Sequence, residues 1–233
     1  MLVNGEFQFE NFARAWNEVR IGDYLLNTAW VVLCSCVATL ITCTTAGYVL
    51  SVLRPKWGPL LSAAVLATLF IPNIVSLVPL YLTVIEMPGT GWRLLDTYWA
   101  VWLPNAASAF LVLIVKRFFD QIPPDLYEAA RIDGAGPVRV FFSIVLPLSR
   151  PILGVVALLT IISAWKDYLW PLLVLTSVDK QPISVALPKV ADSIPLNIQM
   201  SALFLAIIIP ISLFLLFQKQ FLEGAGTAGA VKG

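Results

Sequence analysis

The sequence predicts an all-α fold, a polytopic membrane helix bundle with five spans. Three observations lead there. Of the 233 residues, 59% are hydrophobic and only 12% are charged, about half the charged share of an ordinary soluble domain. Long stretches carry almost no Asp, Glu, Lys or Arg and reach the roughly 20 residues that a helix needs to cross a bilayer. The charges gather in the shorter stretches between them. The same composition excludes several kinds of function. A net charge of +1 offers no attractive field to nucleic acid. The absence of histidine removes the commonest metal ligand and general base, and no nucleophile–base pair or Gly-x-x-x-x-Gly-Lys-Ser/Thr phosphate loop is present. No catalytic and no metal-binding residue is therefore expected. Cys34, Cys36 and Cys43 share one apolar run and read as small packing residues rather than a disulfide or a metal site.

Residues 1–23 interleave Glu6, Glu10, Arg14, Glu18, Arg20 and Asp23 with Phe7, Phe9, Phe12 and Trp16. No apolar core follows a basic start, so this is not a signal peptide. It reads as an external amphipathic element at a membrane surface. The transmembrane domain covers 24–222. Its first span, about 25–53, closes at Arg54-Pro55-Lys56. The second, about 58–86, contains Pro72-Asn73 and Pro79, which predict a kinked or broken helix. A turn-rich link with Pro88, Gly89 and Gly91 leads to the third, about 97–117, kinked near Pro104-Asn105 and closed by Lys116-Arg117. The fourth, about 149–177, carries Lys166-Asp167 inside it. A polar link from Asp179 to Asp192 precedes the fifth, about 195–220. Residues 223–233 form a tail, and the glycine-rich run FLEGAGTAGAVKG from Phe221 onward is expected to be extended.

The loop 123–147 separates the third span from the fourth. From Glu128 to Pro147 it reads EAARIDGAGPVRVFFSIVLP. Glu128, Arg131, Asp133 and Arg139, with Gly134, Gly136 and Pro137, place it at a membrane face. Pro123-Pro124-Asp125 is a helix start, with prolines at the beginning and an acid in the first turn. Leu126, Ala129, Ala130 and Ile132 give this helix a small apolar surface, and Gly134 and Gly136 stop it. A helix of about ten residues is marginal alone, so it needs a partner, which the paired alanines would let approach closely. On the residues alone, a helix resting on lipid headgroups serves as well.

The spacing Glu-Ala-Ala, three residues, Gly, nine residues, Ile-x-Leu-Pro resembles the EAA motif of the permease subunits of bacterial ABC importers. Glu128, Ala129, Ala130, Gly134, Ile144, Leu146 and Pro147 stand on its positions, and the resemblance runs from about residue 4 to 233. It implies that the loop is a coupling helix docking into a cleft on a cytoplasmic ATPase subunit, with Arg131 and Asp133 in the same contact. Glu128 would pair with a basic group or backbone donor there, Gly134 would permit the tight bend, and Pro147 would mark the start of the next span. With this loop inside, Arg54, Lys56, Lys116, Arg117, Arg131, Arg139, Arg150, Lys219 and Lys232 face inward, nine of the 15 basic residues, in keeping with the positive-inside rule. Family members usually have six spans, and a segment like NGEFQFENFARAWNE follows their first. The resemblance therefore implies that the first span is absent here.

Two further runs resemble the carbohydrate branch of the family. WKDYLWPLL, from Trp165, is similar to a signature that usually has Asn where Lys166 stands. GTAGAVKG, from Gly226, is similar to the tail of the maltose-type permease, which implies ATPase contacts by Thr227, Gly229, Val231 and Lys232. Polar groups within apolar runs are costly against lipid, so Asn73, Asn105, Lys166, Asp167 and Asn197 are expected to face the interior, a partner or a cavity. Asn73, Asn105, Trp165, Lys166, Asp167 and Tyr168 are the candidates for a substrate path. Residues 165–170 read equally well as an outer aromatic belt of Trp165, Tyr168 and Trp170 with Lys166 snorkelling. The resemblance implies a second permease subunit, two ATPase subunits and an extracytoplasmic solute-binding protein as partners. It implies ATP and magnesium bound on the ATPases, with no cofactor in this chain. The setting it implies is the bacterial inner membrane, with a multi-pass chain and a cytoplasmic C-terminus. The implied cargo is a sugar or sugar-like solute, with glycerol phosphate or another small solute as the alternative and Lys166 as the basic group a phosphate would favour. A channel or scaffold without an ATPase is the reading from another class.

Overall fold

The computed structural model describes residues 2–3 and 6–227, and they are almost entirely helical. A two-residue antiparallel pair, β1 (Leu2–Val3) and β2 (Glu6–Phe7), sets Leu2 opposite Phe7. After α1 (Glu10–Glu18), α2 (Ile21–Leu53) is long and apolar enough to cross a membrane, as is the Leu196–Leu216 part of the last helix, α12 (Leu196–Thr227). Three bent pairs reach the same length together: α3 (Gly58–Thr68) with α4 (Asn73–Ile85), α5 (Trp99–Ala106) with α6 (Ala109–Phe119), and α8 (Pro137–Leu148) with α9 (Arg150–Lys166). The short helices α7 (Pro124–Ile132), α10 (Leu169–Val174) and α11 (Ile183–Val190) complete the set.

Proline and capping chemistry explain the breaks. The chain turns by 105° between α3 and α4, where Pro72 bars its predecessor from the helical region. Ser108 caps α6 by accepting a hydrogen bond from the Leu111 amide at 3.4 Å, which starts a fresh helix after Ala107. Between α8 and α9 the bend is 78° and lies at the buried Ser149. The predicted fourth span is interrupted: α9 ends at Lys166, and α10 begins only at Leu169. The tail predicted to be extended is helical as far as Thr227, and its remainder lies outside the described residues. Each residue added to an existing helix gains a backbone bond without a new nucleus, which offsets the cost of Gly224 and Gly226.

The contacts divide the chain into two units. One gathers Met1–Ser35, Pro79–Pro104 and Thr160–Leu216. In it, Ala15, Val19 and Ile21 pack with Ile183, Leu187, Ile198 and Ala202, and Phe12 meets Phe204 edge-to-face at 5.7 Å. Asn197 donates to the side-chain oxygen of the buried Asn11 at 2.8 Å. This packing buries Asn11 and Ala15 of α1, while Phe9 and Trp16 stay exposed. A second cluster joins Val31, Val84, Ala100, Val101, Trp170, Val174 and Leu175. Trp170, which one of the two readings placed in an aromatic belt, is buried, its indole N–H donating to the Ala100 carbonyl at 2.9 Å. A buried indole finds a partner for its N–H, and here the Ala100 carbonyl is free to accept it because Pro104, four residues on, has no N–H to donate. Asp96, at φ 58, ties the links of this unit together. Its carboxylate accepts from the Ser177 amide at 2.9 Å, from the Ser177 hydroxyl, and from Lys180 Nζ at 2.8 Å.

The other unit gathers Cys36–Val78, Asn105–Leu159 and Phe217–Gly233. Its core combines Cys43, Tyr48 and Leu50 of α2, Leu111, Val112, Val115 and Phe119 of α6, Ala130 of α7, and Val140, Phe141 and Val145 of α8, with Val156 of α9. The loop 123–147 belongs wholly to this unit.

Candidate functional site

The loop 123–147 is a helix, a sharp bend and a second helix. Prolines at 123 and 124 and Asp125 in the first turn start α7, because proline at a first helical position loses no bond and an acid there meets the positive end of the helix dipole. A paired set of hydrogen bonds ends it. The Gly134 amide donates to the Arg131 carbonyl at 3.0 Å and the Ala135 amide to the Ala130 carbonyl at 2.9 Å, the Schellman arrangement. It requires a left-handed residue at the bend, and Gly134 sits there at φ +76. Gly136 is not part of the stop. Its φ is −71, and it begins α8.

The two alanines of the motif do different things. Successive helix residues point about 100° apart, so Ala130 is buried in the core while Ala129 is exposed. Of the two, only Ala129 stands on the exposed surface of the loop. Tyr127 shares the inward face with Ala130 at i, i+3 spacing. Ile144 and Leu146 also pack against the core. They position α8 and do not offer an outward surface. Pro147 is exposed inside α8, and the turn into the next helix falls beyond it, at Ser149.

The outward surface carries Glu128, Ala129, Arg131, Asp133 and Gly134, all exposed. Among them stand large apolar side chains with little cover: Ile132 at 86% exposure, Val138 at 70% and Phe142 at 62%. Sequence reasoning missed Val138 and Phe142. Their i, i+4 spacing from 138 to 142 was the signal available. Exposed apolar groups rimmed by charges of both signs mark a surface for a protein partner or for a membrane face.

Residues 24–223 match the family described as the binding-protein-dependent transport system inner membrane component. The chain belongs to this family. It is an ABC importer permease. It is 33% identical to the diacetylchitobiose uptake system permease protein NgcG of Streptomyces coelicolor, over 88% of this chain and 67% of that one. It is 38% identical to the sn-glycerol-3-phosphate transport system permease protein UgpE of Agrobacterium fabrum, over 67% of this chain and 55% of that one. The fold is similar to a chain of a bacterial ABC transporter involved in the import of the acidic polysaccharide alginate, with a TM-score of 0.84 at 22% identity, covering 94% of this chain and 82% of that one.

The candidate path residues of the permease fall in both units. Trp165, Lys166, Asp167 and Tyr168 lie in the first, at the break between α9 and α10. The Asp167 carbonyl, freed by that break, accepts from the Ser184 hydroxyl at 2.7 Å. Trp165 and Ser184 line a groove of about 550 Å³ with Gln199, Leu203 and Pro210. Lys166 is exposed and not among the groove's lining. Asn73 and Asn105 lie in the second unit on different helices. Asn73 is exposed at the start of α4, and the Asn105 carbonyl accepts from Thr39 at 3.1 Å. Of the tail residues, Thr227 is the last of α12, while Gly229, Val231 and Lys232 lie outside the described residues.

Proposed function

We propose that this permease is one of two transmembrane subunits of an importer for a sugar or sugar-like solute, and that α7 with its Gly134 bend is where it meets a cytoplasmic ATPase. The observation that carries the reading is the outward surface of the loop: a short helix held from behind by Tyr127 and Ala130, with Glu128, Ala129, Arg131 and Asp133 displayed. In this reading a binding protein delivers solute at the outer face and a second permease subunit completes the path. Two ATPase subunits, which hold ATP and magnesium, shift the loop as they close. The C-terminus is cytoplasmic, and Thr227, Gly229, Val231 and Lys232 reach toward the ATPases. NgcG supports a saccharide cargo by its name. UgpE, by its name, supports the alternative of glycerol phosphate. Family membership sets aside the channel or scaffold reading.

The test is co-purification from detergent with an assay of ATP hydrolysis, for the parent chain and for Glu128→Ala. The expected result is an ATPase and a second permease recovered with the parent, and weaker association or weaker stimulated hydrolysis with the variant. A parent chain recovered alone, or a variant indistinguishable from it, would overturn the docking role.

A further inference from the structure

The segment that holds α7 and its bend is fastened on both sides to one short stretch of α2. Before the loop, Asp120 ends α6, and its Oδ1 accepts from the hydroxyl of Ser51 at 2.7 Å. Ser51 is only 2% exposed. The other carboxylate oxygen of Asp120 takes Lys116 Nζ at 2.7 Å. After the bend, the Pro137 carbonyl at the start of α8 accepts from the Tyr48 hydroxyl at 2.9 Å. The Tyr48 ring also rests on Phe141, with centroids 5.0 Å apart. Tyr48 and Ser51 are three residues apart and therefore share a helix face. They stand where α2 leaves regular α geometry for a π turn at Val49–Leu53 and ends at Arg54, in the left-handed region at φ 44. Arg54 Nε returns to the Ser51 carbonyl at 2.7 Å.

Two further features fit a moving joint. α2 and α6 cross closely at Gly47, where an added Cβ would lie 2.9 Å from Val115 Cγ1 and 3.3 Å from the Lys116 amide nitrogen. Such a crossing leaves α2 and α6 little room to slide past each other. Tyr127 on α7 turns inward, yet its buried hydroxyl has no hydrogen-bond partner among the described residues. Burial, with Tyr48 and Asp120 adding to it and Arg54 opposing, pushes this phenol up to about 12. It stays a donor at physiological pH, and a shifted loop could pair it.

We infer that the Tyr48–Ser51 stretch of α2 is the lever through which the docking loop moves the membrane helices, with Tyr48, Ser51 and Asp120 as positioning residues. The inference rests on the docking role proposed for the loop. The ends are held by polar bonds of defined geometry and the loop's outward face is left free. A displacement of α7 is thus passed at both ends to one helix that is long enough to span the membrane.

The test uses the assembled transporter in proteoliposomes. Tyr48→Phe combined with Ser51→Ala is expected to lower the solute moved per ATP hydrolysed at least fivefold, with the same amount of ATPase recovered in the complex. Asp120→Asn keeps an oxygen for Ser51 and is expected to retain several times more coupling than Asp120→Ala. A doubly substituted complex that assembles and couples like the parent overturns the lever and leaves the docking role standing. A parent chain that recovers no ATPase overturns both. A second measurement needs no partner. Hydrogen exchange over residues 124–135 of the solubilised full chain is expected to quicken at least fivefold in the double variant while exchange over α1 is unchanged. Unaltered exchange in the loop overturns the proposal.

Discussion

Replacing Gly134 by alanine isolates the bend after α7 from everything around it. An added Cβ at this position meets no heavy atom within 4 Å, yet the residue sits at φ +76. The cost of Gly134→Ala is therefore one of backbone conformation and not of crowding. Holding a residue with a Cβ in the left-handed region costs about 1–2 kcal/mol, which lowers the population of the bent loop roughly 5- to 30-fold relative to alternatives. Gly136 supplies the internal control. It is just as open, with no heavy atom within 4 Å of an added Cβ, but its φ is −71, which any residue adopts. Gly136→Ala should leave the loop intact and even stabilise the chain slightly through its unfolded state. Asparagine visits the left-handed region more readily than alanine, so Gly134→Asn should fall between. The assay is uptake together with ATP hydrolysis in the reconstituted importer. The expected order of coupling is Gly136→Ala, then Gly134→Asn, then Gly134→Ala. Equal coupling in Gly134→Ala and Gly136→Ala would refute the argument that the left-handed bend is what the motif glycine provides.

Two further expectations follow from the packing. Burial pulls the Asp96 carboxyl upward, but Lys180 and the Ser177 hydroxyl and amide outweigh it and hold the group well below the usual carboxylate range. A depressed value in the folded state contributes stability above the unfolded value of about 3.9 and loses it as pH falls through the folded one. Lys180 is raised by the same pairing, so its share is kept below its unfolded value and lost only at alkaline pH. The melting temperature lost on Asp96→Asn should thus be constant between about pH 5 and 10 and shrink progressively as pH falls below about 5 toward the depressed folded value; a gap at pH 2 as large as the gap at pH 7 would show that the carboxylate charge is not what holds the link. Gly47→Ala places its Cβ 2.9 Å from Val115 Cγ1. Overpacking of this kind costs about 1–3 kcal/mol, more than the 0.5–1 kcal/mol that alanine gains over glycine in a helix. A net loss of thermal stability is expected, and a stabilised chain would mean that the α2–α6 crossing can relax.

Residue order by itself determined the features that depend on neighbours along the chain. The uncharged runs mark where hydrocarbon can surround the backbone. Pro123-Pro124-Asp125 starts a helix and Gly134 bends it because caps and left-handed turns are local chemistry. Pro72 breaks the second apolar run for the same reason. Only the tertiary structure decided which apolar side chains face inward. On α2, Leu26, Leu33 and Ile41 are exposed while Val31, Val32 and Cys43 are buried, and no difference in polarity separates the two sets. Lipid is as apolar as a helix core, so a membrane helix need not show the alternation that marks a buried face in water. For that reason Ala130 could not be told from Ala129, nor Trp170 from a belt residue, and Ile144 and Leu146 matched a motif without revealing that they pack inward. The bonds from Tyr48 to Pro137 and from Ser51 to Asp120 link residues 89 and 69 positions apart, and only folding brings such partners within reach.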